Sequence, residues 1–529
     1  MDERIREAIF PVAIYSKSGV IEGAELLKEP CDLQIGLSEQ HLITVRGKGS
    51  IVLDFGRELH ASVRILTLGA DGGEAQVRIR TGESVSEACA ELGQKNAGNY
   101  HALRDIRTKI LIYSDQEFLQ TGFRFVRIDF EEEKTVVLKA VLATQIRRDL
   151  HAAGGFECDD ERVNEIFRVA KRTLELNMQN YIWDGIKRDR LVWIGDMHPE
   201  TTAICCLFGS DRSVERSLDY TTSHTPLPQW MNGIPSYTCW WLIILHDYYL
   251  QNGDKAYLEK NKDYLEGAVR LLNDCVSEKG EITVEALFDW PSNNSADEKI
   301  GIYAIWALAA RYAFALFEEL ALDTELCVRM TEKLARNRNI TVEKFKQCEA
   351  MLVYAGLKKP SESFAFLTEH GAKGFSTFMS YYLLAAIAQT DAARAVALMK
   401  EYYGAMLDLG ATSFWEDFNL DWVKGSAPIT RLPKAGENDI HGDFGDHCYV
   451  GFRHSLCHGW SCGPVSFLIK SIGGIEILAP GCKKMRVNPV AAGLKYYKIT
   501  YPTPFGCIEI ELKDGRITKK IPDGIEVVG

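Results

Sequence analysis

The hydrophobic pattern of this chain changes its period twice, and that double switch limits the possible folds more than any other feature. Up to about residue 150, apolar residues alternate with period two, as in Ile51-Val-Leu-Asp-Phe-Gly, Ala61-Ser-Val-Arg-Ile-Leu-Thr-Leu and Ala75-Gln-Val-Arg-Ile-Arg. Gly-rich turns such as Gly69-Ala-Asp-Gly-Gly separate these runs, and Phe123-Arg-Phe-Val-Arg-Ile-Asp-Phe and Thr135-Val-Val-Leu-Lys-Ala-Val-Leu continue them. Short strands at this spacing predict an N-terminal β-sandwich. From Asp160 the apolar residues recur every three to four positions instead, as one helix face requires. Further helical stretches follow at about 197–208, 236–251, 256–277, 299–319, 323–335, 341–355, 375–388, 391–406 and 454–471. About a dozen helices in succession suit hairpins closed into a ring better than a small bundle. After Gly473 strand signals return in Lys495-Tyr-Tyr-Lys-Ile-Thr-Tyr, Gly506-Cys-Ile-Glu-Ile-Glu-Leu and Arg516-Ile-Thr-Lys-Lys-Ile. The chain reads as a multidomain α+β protein. A β-sandwich is expected over 1–155, a helical domain over 156–472 and a small β-domain over 473–529.

A length of 529 residues is too great for one ordinary core, which agrees with that division. A formal net charge of −12 argues against nucleic acid and against an anionic membrane surface as partners. The opening Met1-Asp-Glu-Arg-Ile-Arg has no apolar signal core, and no run of about 18 apolar residues follows, so a cytoplasmic location is expected. The fourteen cysteines are scattered without a CxxC pair, and Cys205, Cys206, Cys457 and Cys462 lie in apolar contexts. Buried reduced thiols explain them better than bridges or zinc, so neither a metal nor a cofactor is expected.

Chemistry concentrates in three acidic or histidine-bearing segments. Trp183-Asp-Gly-Ile-Lys-Arg-Asp-Arg-Leu-Val-Trp-Ile-Gly-Asp196 sets Asp184, Asp189 and Asp196 around Arg188 and Trp193. Interleaved apolar residues imply partial burial, and carboxyls held in unlike surroundings are what acid/base work at neutral pH needs. Helix capping accounts for the same acids equally well. In Thr412-Ser-Phe-Trp-Glu-Asp-Phe-Asn-Leu-Asp-Trp422, Glu416 follows Trp415 inside an aromatic run. Arg453-His-Ser-Leu-Cys-His-Gly-Trp460 is expected to open a long apolar helix. His454 and His458 there have an i, i+4 spacing that zinc can use, yet without an HExxH glutamate. A hydroxyl-binding or polar-core role suits His458 better. All ten tryptophans fall between Trp183 and Trp460, where indole faces could stack on sugar rings or simply fill a large helical core. No GxSxG elbow, Walker A sequence or dinucleotide-binding glycine pattern competes with these acids.

The string Asp184…Arg188-Asp189…Trp193…Gly195-Asp196 resembles the signature of glycoside hydrolase family 78, the bacterial α-L-rhamnosidases. Phe414-Trp-Glu416 is similar to that family's downstream Trp-Glu motif, and Ser455-Leu-Cys-His-Gly-Trp460 to its late His-containing segment. Leu53-Asp-Phe-Gly-Arg-Glu-Leu, Arg80-Thr-Gly-Glu83 and Thr121-Gly-Phe-Arg-Phe-Val-Arg127 resemble its accessory β-domain; Pro480-Gly-Cys and Pro502-Thr-Pro-Phe-Gly506 resemble its C-terminal one. The resemblance implies a central (α/α)6 barrel and inverting hydrolysis of terminal α-L-rhamnosides from small glycosides or oligosaccharides. Carried over, Asp189 is the general acid and Glu416 the general base. Asp184, Arg188, Trp193, Asp196, Trp415, His458 and Trp460 would bind the sugar. Inversion needs room for a water, so the two carboxyl groups should stand ~6.5–9.5 Å apart. Many members carry Glu at the acid position; Asp189 is one methylene shorter. A related hydrolase for another deoxy or uronic sugar, or a non-catalytic carbohydrate-binding relative, would share these motifs. The reading leaves room for a homo-oligomer.

Overall fold

The computed structural model describes residues 2–337 and 339–528. The period-two region forms one antiparallel sheet, in the order Arg4–Ile9, Thr135–Arg148, Ile43–Ala70, Ser114–Phe130, Glu74–Gly82 and Asp105–Leu111. Ala13–Glu22 adds along Ile43–Ala70. That long strand meets Thr135–Arg148 twice, with residues 43–46 opposite 135–138 and residues 61–70 opposite 136–145. Its register breaks between Asp54 and Leu59, where Gly56 takes a left-handed φ of 77°. The bend folds the sheet over a core that includes Ile51, Leu53, Val63, Val77, Phe123 and Val126. The expected β-sandwich is therefore built from a single sheet turned over on itself.

The middle of the chain is helical, as its period requires. Helices with an apolar face and a wet face include Glu161–Asn177, Lys262–Asp274 and Glu325–Leu334. Others are buried nearly all round, as in Pro235–Asn252 and Ala296–Glu319. Ala296–Glu319 is long and apolar enough to cross a membrane by composition, but 72% of its apolar window is buried inside the protein, as in a core helix. Met197–Phe208 packs on Pro235–Asn252, which packs on Ala296–Glu319, then Lys346–Tyr354, then Ser380–Ala388, then Gly463–Ser466, which returns to Met197–Phe208. Two helices, Arg212–His224 and Pro360–Thr368, escaped the sequence reading because few of their positions are apolar and buried. The expected helix over 454–471 needs correction. Helical backbone begins at Gly459 and passes through Gly463–Ser466 into a π-turn at Phe467–Ser471. Residues 454–458 stay extended because other loops claim their backbone: His458 N–H donates to the Phe414 carbonyl at 3.0 Å, and His458 pairs with Gly185.

The C-terminal strands form a four-stranded sheet in the order Arg516–Lys520, Gly506–Lys513, Tyr497–Thr503 and Gly155–Cys158. Ile475–Ala479, Lys484–Val487 and Glu526–Val528 make a smaller sheet. The boundary expected near residue 155 thus falls inside a strand that the two ends of the molecule share. Just before it, Ala153 and Gly154 N–H groups donate to the Leu207 carbonyl at 2.9 and 2.8 Å. A Cβ at Gly154 would lie 1.9 Å from the Cys206 carbonyl oxygen, so the linker can approach this helix end closely.

Sheet and helices meet around a buried ammonium. Lys187 Nζ lies 3.0 Å from Glu83 and 3.3 Å from Glu87, and donates to the carbonyls of Phe452 at 2.9 Å and His454 at 2.5 Å. Glu83 Oε2 also accepts the Leu456 N–H at 2.6 Å, and Glu83 Oε1 the Ser455 hydroxyl at 3.1 Å. Burial opposes the charge on Lys187, but the two glutamates hold its pKa above the ordinary lysine value. Burial also pushes the Glu83 carboxyl up to about 7. Removing one partner of a buried ion pair costs about 3–5 kcal/mol because the others are left uncompensated. Lys187→Met is expected to lose that much stability in urea unfolding. A loss below about 1 kcal/mol, the scale of an exposed pair, would show that this contact does not join the layers.

Candidate active site

Three irregular segments are woven together by backbone hydrogen bonds. Gly459 N–H donates to the Asp184 carbonyl at 2.7 Å, Glu416 N–H to the Ser455 carbonyl at 2.9 Å, and Leu191 N–H to Asp184 Oδ1 at 2.9 Å. Within the first segment Asp189 and Arg190 both take φ of 54°, a left-handed conformation that side chains with a Cβ seldom adopt in succession. Such strain persists where surrounding contacts fix it and collects at functional sites.

The carboxyls converge on His458. Its Nε2 lies 3.6 Å from Glu416 Oε1 and 3.9 Å from both Asp184 Oδ2 and Asp196 Oδ2. Burial, then the charge of Arg188, holds this imidazole well below its ordinary pKa. Asp184 is pushed well up by burial, then by the charges of Asp189 and Asp196. Burial does the same to Asp196, against the Tyr237 hydroxyl that donates to its Oδ1 at 3.1 Å. Burial thus pushes Asp184 and Asp196 toward the neutral acid and His458 toward the neutral imidazole, groups able both to donate to and accept from hydroxyls.

Arg188 links this cluster to the remaining acid. Its Nη1 donates to Asp189 Oδ1 at 2.9 Å, its Nη2 to Glu416 Oε1, and its Nε to the Arg453 carbonyl at 3.0 Å. Glu416 Oε2 accepts the Ser455 N–H at 3.0 Å. Burial raises the Glu416 pKa, although Arg188 and that N–H pull the other way. Asp189 is the most open of the four acids, its side chain 15% exposed against 3% for Glu416.

A cavity of about 180 Å³ opens beside Glu416, lined also by Asp289, Trp290, Asp417, Tyr449 and Trp460. Trp460 stacks on Phe378 at 5.1 Å and lies 4.1 Å from the His458 ring. Trp193 is half-buried, edge-on to Tyr237 at 6.2 Å. Trp415 is a correction. It is 1% exposed and packs against Phe418 and His454, so its ring is core and offers no face to a sugar. His454 does not pair with His458 for zinc either, since its Nε2 accepts the Asp417 N–H at 2.9 Å. Asp289 and Asp417 were missed. Burial pushes both to about 7, with the Ser376 hydroxyl donating to Asp289 at 2.6 Å. An acid flanked by Phe288 and Trp290 gives the same signal as Trp415-Glu416, but it stands alone in its part of the sequence.

Glu83, Glu87 and His441 come close enough to share an ion, but the Lys187 ammonium already supplies positive charge there. A wider groove of about 890 Å³ lies around Tyr181, Tyr220 and Lys260, and none of the expected site residues lines it.

Residues 151–305 match the family model described as the bacterial α-L-rhamnosidase six-hairpin glycosidase domain. An α-L-rhamnosidase of Formosa agariphila is 26% identical over 157 residues, which is 28% of this chain and 16% of that protein. A family 78 rhamnosidase structure from Bacillus sp. GL1 superposes with a TM-score of 0.74 at 19% identity, over 96% of this chain and 55% of its own. A Klebsiella oxytoca rhamnosidase solved with rhamnose bound gives 0.67 at 18% identity, over 88% of this chain and 96% of its own. The chain thus spans a sixth of the curated relative and about half of the Bacillus enzyme. The chain thus shares its sheet-and-helix fold with solved family 78 rhamnosidases, and its residues 151–305 match the bacterial α-L-rhamnosidase six-hairpin glycosidase domain.

Proposed function

We propose that the protein is an inverting exo-α-L-rhamnosidase acting on small glycosides, with Asp189 as general acid and Glu416 as general base. The ring of helix contacts returning to Met197–Phe208 supports reading the helical region as an (α/α)6 barrel, with the site at one mouth. The observation that carries the reaction is the convergence of Asp184, Asp196 and Glu416 on His458, with Arg188 bridging Glu416 and Asp189.

On this reading the sugar is gripped by the two carboxyls that Arg188 bridges. A water on the Glu416 side attacks the anomeric carbon and gives its proton to that carboxylate, while the C–O bond on the other side breaks. Asp189 protonates the departing oxygen, and its greater exposure suits the side from which an aglycone leaves. Asp184, Asp196 and His458 bind ring hydroxyls, and Trp193 and Trp460 supply apolar faces. The cavity of about 180 Å³ on the Glu416 and Trp460 side suits a small ligand, although Asp184, Asp189, Asp196 and His458 do not line it.

The first-formed anomer read by NMR tests the mechanism. An α-L-rhamnoside should release β-L-rhamnose, and release of the α-anomer would overturn inversion. A panel of other glycosides checks the sugar. Asp189→Asn and Glu416→Gln should each cut kcat by about 10²–10⁴-fold while leaving rhamnose affinity largely intact. A cleaved substrate indifferent to both would refute the pair.

A base must be ionised, and burial lifts the Glu416 carboxyl above its ordinary range. Hence kcat/KM should fall as pH drops through a value above the ordinary glutamate pKa of about 4.3. Arg188→Gln removes the charge opposing that lift and should move the limb to still higher pH. A wild-type limb at or below about 4 would contradict the assignment.

A further inference from the structure

The acid's surroundings include a residue that no helix supplies. His101 sits in the loop between Glu74–Gly82 and Asp105–Leu111 of the N-terminal sheet, and its Nε2 lies 3.2 Å from Asp189 Oδ1. The loop is held there by several contacts. Arg190 Nη2 donates to the His101 carbonyl at 2.9 Å, and Arg190 Nη1 to the Gln120 carbonyl at 3.0 Å. Asn99 Oδ1 accepts the Arg104 and Asp105 N–H groups at 2.9 and 3.1 Å. The Arg453 guanidinium lies over the Tyr100 ring at 5.5 Å, and the Arg453 carbonyl is the one that receives Arg188 Nε. His101 itself has a left-handed φ of 27°, so three residues of unfavourable backbone meet at this contact. Strain on both sides of one polar contact marks a geometry that the surrounding contacts impose.

We propose that His101 is a positioning residue for the general acid, contributed to the active site by the N-terminal sheet. The inference rests on Asp189 being the acid. Arg188 and His101 both address Oδ1, which leaves Oδ2 as the oxygen to carry the proton. The His101 ring, with Nε2 3.2 Å from Oδ1, is a second group beside Arg188 that holds this oxygen and so sets the plane of the carboxyl. A carboxyl one methylene shorter than glutamate has less reach, so its orientation must come from its neighbours. With His101 in place, Oδ2–H faces the glycosidic oxygen; without it, the carboxyl turns about its Cβ–Cγ bond.

A positioning role predicts a defect that depends on the leaving group. Activated aryl leaving groups depart with little protonation, whereas phenyl or alkyl groups need the acid. The full chain carrying His101→Ala should lose about tenfold or more in kcat on a phenyl or alkyl α-L-rhamnoside and within about threefold on the dinitrophenyl one. KM should change little. His101→Gln, which keeps a donor, should recover part of the loss on the poor leaving groups. Asp189→Asn measured on the same series should give a steeper version of the same dependence. Equal losses on every substrate, no loss on any, or a defect in KM alone would overturn the role of His101 while Asp189→Asn still marks the acid. An Asp189→Asn variant without leaving-group dependence would instead overturn the acid assignment, and this inference with it. Matched thermal melts of both His101 variants and the wild type exclude misfolding as the origin of the pattern.

Discussion

The Lys187 ammonium is the contact on which the rest of the site depends. Burying a lysine is costly unless its charge is met by partners, and here Glu83 and Glu87 come from the turn and short helix that follow strand Glu74–Gly82, while the Phe452 and His454 carbonyls come from a distant loop. The same loop presents Ser455 N–H to Glu416 and the Arg453 carbonyl to Arg188. Two adjacent residues therefore do different work: Lys187 fixes the segment to the sheet, and Arg188 faces the acids. Any shift of the sheet relative to the helices would move Glu83 and Glu87, and through Lys187 it would move Arg188, Asp189 and Glu416.

The electrostatics of the cluster follow from the same burial. Four acids within reach of one arginine and one imidazole cannot all be charged in a site from which water is largely excluded. Burial drives the Asp184 and Asp196 carboxyls toward the neutral form, and the guanidinium bridges Asp189 and Glu416. Carboxyls in one small volume are thus held in unlike surroundings. Asp289 and Asp417, also raised by burial, extend the neutral-leaning wall along the cavity.

Much of this was legible in the sequence because it is local. The period switch near residue 156 marks the change from sheet to helix, and the acid–arginine–tryptophan spacing of 184–196 marks the loop that carries three of the acids. What escaped was non-local. The strand Gly155–Cys158 looks like the end of the first domain and pairs instead with Tyr497–Thr503. Residues 454–458 have helical spacing, but Phe414 and Gly185 take their backbone into extended pairing. Trp415 was misjudged because an aromatic beside an acid looks the same in sequence whether it faces a cavity or the core. Asp289 and His101 could not be joined to the motif at all, since nothing in their immediate neighbours encodes the chain-wide fold that delivers them.

The contribution of His101 changes how the N-terminal sheet is understood. A sheet that only shielded apolar helix surface could meet it through side chains of no particular chemistry. Instead its loops reach the catalytic segment with a buried ion cluster at Lys187, a clamp on Arg190 and an imidazole on Asp189. Each of these contacts falls within four residues of the sequence, 187–190, so the sheet grips the one stretch whose backbone is held in a left-handed conformation. Strain at Asp189 and Arg190 would relax in an isolated helical region, because the groups that oppose relaxation come from the sheet. The candidate site is therefore a property of the joined layers, with loops between the helices supplying the acids and a loop of the sheet region meeting the most exposed of them.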